Sequence, residues 1–141
     1  MGDWQTVAGH RIRVTDDYVE VEPNGHMNVS QIQWLLDEVI VPVIAKHGTA
    51  FVLLDSRNGT PADAESRRVI SSWVRSHPAQ TVFAAFGASR TASAVGMLLL
   101  NAIRLLSGRQ IQLKMFDEQT SAEAWLREQR VRLKQGLPIS T

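Results

Sequence analysis

The residues of this chain best suited to chemistry stand where apolar runs stop. Asp55 ends the run Phe51-Val52-Leu53-Leu54. Open α/β sheets gather ligands at the C-terminal ends of their strands, so this carboxylate is a candidate general base or ligand anchor. The plainer reading is that Asp55 caps its own loop or pairs with Arg57, and it is favoured because no partner acid, base or metal set accompanies it. Gly87-Ala88-Ser89-Arg90-Thr91 follows a second apolar run. A helix that starts there would offer free N–H groups to an anion, with Ser89 and Arg90 as extra donors. Against that, Gly87 can simply permit the turn while Ser89 or Thr91 caps the helix. The turn has neither the Walker lysine nor the dinucleotide glycine spacing. His10, His26, His47 and His77 are scattered, with no pair at metal spacing and no nucleophile elbow. No catalytic residue, metal or cofactor is therefore assigned.

Composition narrows the classes further. The chain has 141 residues, 44% of them hydrophobic, and no cysteine. That length suits one domain with a proper core, drawn at residues 9–134 with flexible ends at 1–8 and 135–141. Without cysteine, disulfides, thiolate chemistry and Cys-based metal sites are excluded, and a reducing, cytoplasmic setting is consistent. The 15 Lys+Arg against 14 Asp+Glu leave a net charge of +1. Nucleic acid is a poor partner for such a balance, because phosphate binding wants a basic stripe. No signal peptide is expected at the N-terminus; Gly2 and Thr6 fit the loose myristoylation pattern, which short sequences match by chance. The longest apolar run, Val95–Ile103, is too short to span a bilayer, so no membrane insertion is expected.

The elements that must position these residues are legible in the periodicity. Arg11–Val14 and Tyr18–Glu22 alternate apolar and polar side chains about a Thr15-Asp16-Asp17 turn, which predicts a hairpin. Asn28 and Gln31 form a capping box for a helix carrying Ile32, Leu35, Leu36, Val39, Ile40 and Val43. Pro42 should kink that helix, and His47-Gly48 should stop it. Thr60-Pro61 is read as the start of a second helix, closed by His77-Pro78. Thr81–Phe86 and Ile111–Phe116 are strands, and Thr120-Ser121-Ala122-Glu123 reads as a capping box for the last helix. The order β-β-α-β-α-β-α-β-α predicts a small, mostly parallel α/β sheet with an antiparallel hairpin at its N-terminal side.

The third helix, expected from about residue 90 to 108, is apolar on two sides. Val95, Leu98, Leu99, Ala102 and Leu106 are expected to pack on the sheet. Met97 and Leu100 fall opposite, beside Asn101 and Arg104. Met97, Leu100 and Arg104 thus form a candidate surface for a second copy, a protein target or a lipid-like ligand; the other reading is that another helix covers them.

Gly48–Asp55, Thr81–Gly87, Ile111–Phe116 with Asp117, and Ala122-Glu123-Ala124-Trp125-Leu126 follow one another in a layout that resembles the SpoIIAA-like members of the STAS superfamily, a group linked in name to the SEC14 lipid-binding fold. The resemblance covers roughly residues 10–130. It implies a small α/β domain without catalytic machinery, of bacterial source, acting as a switchable protein-binding module. The sporulation-type members carry a phosphorylated Ser in Asp-Ser-Ser-Gly about eight residues after the strand-ending Asp. Here that stretch is Asp63-Ala64-Glu65-Ser66, and Ala64 stands at the acceptor position. Ser56, Thr60 and Ser66 are nearby hydroxyls open to modification, though none fits the motif. The leading expectation is a non-enzymatic regulatory or interaction module, forming a homodimer. The second is a binder of small molecules or lipids with an apolar pocket between helices and sheet. The third is an enzyme using Asp55 with the Ser89-Arg90 turn.

Overall fold

The computed structural model describes residues 2–77, 80–91, 93–94, 96–98, 101 and 111–138. Its first strand, β1 (Gln5–Val7), pairs antiparallel with β2 (His10–Val14), which pairs antiparallel with β3 (Val19–Glu22). From there β3, β4 (Thr49–Asp55), β5 (Gln80–Phe86) and β6 (Ile111–Phe116) run parallel. The six strands lie in the sheet in chain order. A right-handed crossover that always steps to the next strand returns on the same side each time, so the connecting helices share one face of the sheet.

That helical face carries α1 (Val29–Trp34), a π-helical turn (Leu35–Ile40), α2 (Val41–His47) and α3 (Ala64–Ser76). Ile12, Val19, Val21, Ala50 and Val52 from the sheet pack there against Ile32, Leu36, Ile40, Trp73 and Val74. The opposite face is covered by one helix, α4 (Gln119–Lys134). There Leu53, Val82, Ala84 and Phe86 close on Ala122, Trp125 and Leu126. The alternation along β4 and β5 that divides these two cores is the pleat itself.

The Asn28 capping box forms as expected: its side chain accepts the Gln31 N–H at 2.9 Å, and Gln31 Oε1 accepts the Asn28 N–H at 3.0 Å. Gly48 ends α2 with φ at +83°, a conformation that costs glycine nothing. Pro42 is absorbed differently from a simple kink. Its ring cannot accept an α-helical neighbour four residues back, and the backbone widens just before it. The Val41 N–H reaches the Leu36 carbonyl, a five-residue step.

Four expectations need correction. Residues 5–7, assigned to a flexible end, form β1, because Trp4 lies between the guanidinium groups of Arg11 and Arg13, at 4.2 and 4.4 Å from its ring centroid. Helix α3 starts at Ala64, not at Pro61. Asp63 is the cap, accepting the Ser66 N–H at 2.8 Å, while the Thr60 N–H is spent on the Gly25 carbonyl at 3.3 Å. Helix α4 starts at Gln119 without a side-chain cap. The Glu123 carboxylate that would have closed the box instead accepts the Tyr18 hydroxyl at 3.0 Å. Finally, Leu98 does not pack on the sheet; it is 61% exposed. Among the described residues of that helical segment, Gly96 faces the sheet, where a Cβ would come within 3.1 Å of Met115 Cε.

Candidate functional site

The helical face is not filled. Between it and the helices lies a cavity of about 230 Å³. Its floor is the cavity-facing rows of the sheet, Val52–Phe83–Leu113 and Leu54–Ala85–Met115, which the strand register places side by side. Its walls are Ile32, Leu35, Leu36 and Ile40 from α1 and the π-helical turn, and Ile70 from α3. Small residues leave the room: Ala85 on the floor, Ala88 just after β5, and Gly96 opposite Met115. Side chains of ordinary size at those three positions would close it.

One end of the cavity is polar, at the C-terminal edge of the parallel strands. Two loops meet there in a bridge between Gly25 and Gly59. The Gly25 N–H donates to the Asn58 carbonyl at 2.8 Å, and Thr60 answers on the Gly25 carbonyl. Ser56, Thr60 and His26 line this end. His26 Nε2 stands 3.4 Å from the carboxylate of Asp63. The Ser66 backbone N–H, ahead of His26 and Arg67, holds the Asp63 carboxyl below the ordinary carboxylate range.

The residues singled out by sequence divide between this cavity and its surroundings. Ser56 and Thr60 line the polar end. Ser66 is fully buried, so it is not open to modification. Asp55 is buried on the other side of the sheet, and both its oxygens are occupied. Oδ1 accepts the Arg57 backbone N–H at 3.1 Å and Nε at 2.9 Å, and Oδ2 accepts Nη2 at 2.7 Å. The Arg57 guanidinium holds the Asp55 carboxyl below its ordinary range, against the upward push of burial. The stem of Arg57 lies on Gly87, where a Cβ would stand 2.4 Å from Cγ and where φ is +74°. Glycine is required at 87 on both counts. The arrangement gathers Asp55, Arg57 and Gly87 into a closed ion pair, as the plainer reading of Asp55 holds. Ser89 and Arg90 are exposed at the start of the next helical segment, where the Ser89 carbonyl accepts the Ser93 N–H at 2.9 Å.

Of the histidines, His10 is buried and ties the hairpin to α1. Its Nδ1 accepts the Asn24 N–H at 2.9 Å, and its Nε2 lies 3.1 Å from Gln31 Oε1. His77 stacks on Trp73 at 4.3 Å between ring centroids. Among the described residues no three His, Asp or Glu side chains converge as a metal site. No helix among them is long and apolar enough to cross a membrane. Met97, of the candidate interaction surface, is 46% exposed. Leu100 and Arg104 of that surface lie outside the described residues, as do Val95, Leu99, Ala102 and Leu106. Sequence reasoning passed over His26 as a site residue; the signal was its place between Gly25 and a capped helix, which only the Gly25–Gly59 bridge makes meaningful.

No known family model matches this chain, and none of the curated proteins matches it either.

Proposed function

We propose that this protein is a non-enzymatic binding module that takes a small, mostly apolar molecule into the cavity on the helical face of its sheet. One observation carries the reading: a void of about 230 Å³ that is bounded, among the described residues, almost wholly by apolar side chains, with their few polar groups at one end. Interiors are otherwise packed to crystal density, and a void of this size forfeits contacts on every wall. For scale, an engineered apolar cavity of about 150 Å³ stays dry and accepts benzene. The present one suits a ligand of roughly nine non-hydrogen atoms on the same footing. The polar end lies where α/β sheets present ligands. The layout likeness to SpoIIAA-like STAS domains, and through their name to SEC14, is compatible with such a role. The saturated carboxylate of Asp55 weighs against a general base there.

Native mass spectrometry of the protein as purified tests this. A mass excess removed by solvent extraction is expected, together with a rise in melting temperature on adding medium-chain alcohols. Absence of both would overturn it.

A second reading, a protein-interaction module that dimerises, is favoured by Met97 and Leu98, which are 46% and 61% exposed on one helical segment. Light scattering of wild type and of M97E/L98E tests it. A dimer converted to a folded monomer supports the reading, and a monomer in both cases removes it. The usual kinase switch is set aside in either reading, since Ala64 has no hydroxyl.

A further inference from the structure

The polar end of the cavity has a character that bears on what its ligand is. Among the described residues no Lys or Arg lines the cavity, and the only titratable side chain that does is His26. That imidazole already faces the Asp63 carboxylate at 3.4 Å. Two nearby guanidinium groups are also engaged: Arg57 on Asp55, and Arg67 Nη1 on the carbonyl of the lining residue Ala62 at 2.7 Å. Ser56 and Thr60, in contrast, are lining residues that carry hydroxyls. A carboxylate drawn into this space would lose its water with no Lys or Arg among the described lining residues to receive it, and would meet the negative charge of Asp63 beside His26. A neutral hydroxyl or carbonyl would lose little and gain a hydrogen bond from Ser56 or Thr60.

From this arrangement we infer that the cavity selects neutral ligands with a single hydrogen-bonding head group, such as alcohols or ketones, over carboxylic acids of the same chain length. Ser56 and Thr60 hold the head group, and Asp63 is the residue that disfavours acids. The inference rests on the binding-module reading and deepens it.

The test compares 1-octanol with octanoate, at about pH 8 where the acid is ionised, by chemical-shift titration of the full chain. Octanol is expected to bind on the order of tenfold more tightly than octanoate. D63N keeps an N-cap side chain of equal quality, so it should fold normally. It should tighten octanoate by roughly two- to fivefold and leave octanol unchanged. S56A/T60V, checked for an unchanged melting temperature, should weaken octanol by roughly two- to tenfold. Octanoate binding as tightly as octanol would overturn the selectivity while leaving the cavity as a binding site. Octanol binding unaffected by S56A/T60V would overturn the assigned head-group site. If neither probe shifts the cavity residues, the binding reading itself fails, and the selectivity with it.

Discussion

The two faces of the sheet are built from the same strands and packed to different ends. On the face under α4, Ala84 lets the helix come close, and Trp125 and Leu126 fill the space with exposures of 7% and 1%. Beyond the reach of α4, the hairpin covers the same face with ion pairs, Arg11–Glu22 at 3.1 Å and Arg13–Glu20 at 2.6 Å. On the other face three helical connections spread over four strands, yet Ala85, the very next residue of β5, borders a void. A small residue under a large one closes a core, whereas small residues facing one another leave a cavity. The contrast lies in chemistry as much as in volume: the hollow on the helical face is lined mainly by apolar side chains, whereas a space of about 270 Å³ at the end of α4 is edged by Asp16, Asp17, Arg130 and Lys134. The walls of the hollow are held by the Asn28 capping box and the two-loop bridge at Gly25 and Gly59.

That contrast can be broken most severely on the filled face. Trp125→Ala should cost about 3–5 kcal/mol in chemical denaturation, because nothing adjacent can collapse into the space. A loss below about 1 kcal/mol would mean the face under α4 is not the closed core described. Next comes a matched pair on one strand. Ala84→Leu should overpack and cost about 1–3 kcal/mol, while Ala85→Leu should change stability by less than about 1.5 kcal/mol and abolish octanol binding. Equal losses from both would erase the difference between the faces. Asn28→Ala removes the side-chain acceptor of the Gln31 N–H in the capping box above the cavity and should cost about 1 kcal/mol. Octanol should also bind less tightly to it if the box holds the wall in place.

The smallest effect is one of pH. Burial, then the hydrogen bond to Glu123, pushes the Tyr18 phenol up to about 12. Folding therefore favours the protonated phenol. Its contribution is full below the ordinary value of about 10 and is lost as pH rises through about 12. Denaturation midpoints across that window should fall for wild type and fall less for Tyr18→Phe. Identical slopes would mean the Tyr18–Glu123 bond does not tie hairpin to α4.

Much of the fold was legible because periodicity and burial coincide. The alternation in Arg11–Val14 and Tyr18–Glu22 and the unbroken run Phe51–Leu54 mark strands with one or two buried faces. Asn28 with Gln31, and Gly48, mark helix ends by their chemistry. Strand β1 escaped because its three residues hold one apolar side chain, and its anchor is a tryptophan between two arginines of a different strand. The starts of α3 and α4 were misplaced because Thr60 and Glu123 spend their groups on distant partners, Gly25 and Tyr18. The site was half legible. Ser56 and Thr60 stood out as hydroxyls near a strand end, but their role depends on His26 and Asp63 being brought beside them. Asp55 and Gly87 drew notice for the right position and the wrong reason, since Arg57 joins them into a closed pair. The cavity itself needed Ala85, Ala88 and Gly96 to meet in space, and no local pattern reports that.

The most direct test of the account is a methyl NMR titration of the wild-type protein with 1-octanol. The account predicts shifts of the Val52, Leu54 and Leu113 methyl groups, on the hollow face, while Leu53, Val82 and Leu126 stay in place. Shifts confined to Met97 and Leu98, or spread evenly over both faces, would contradict it.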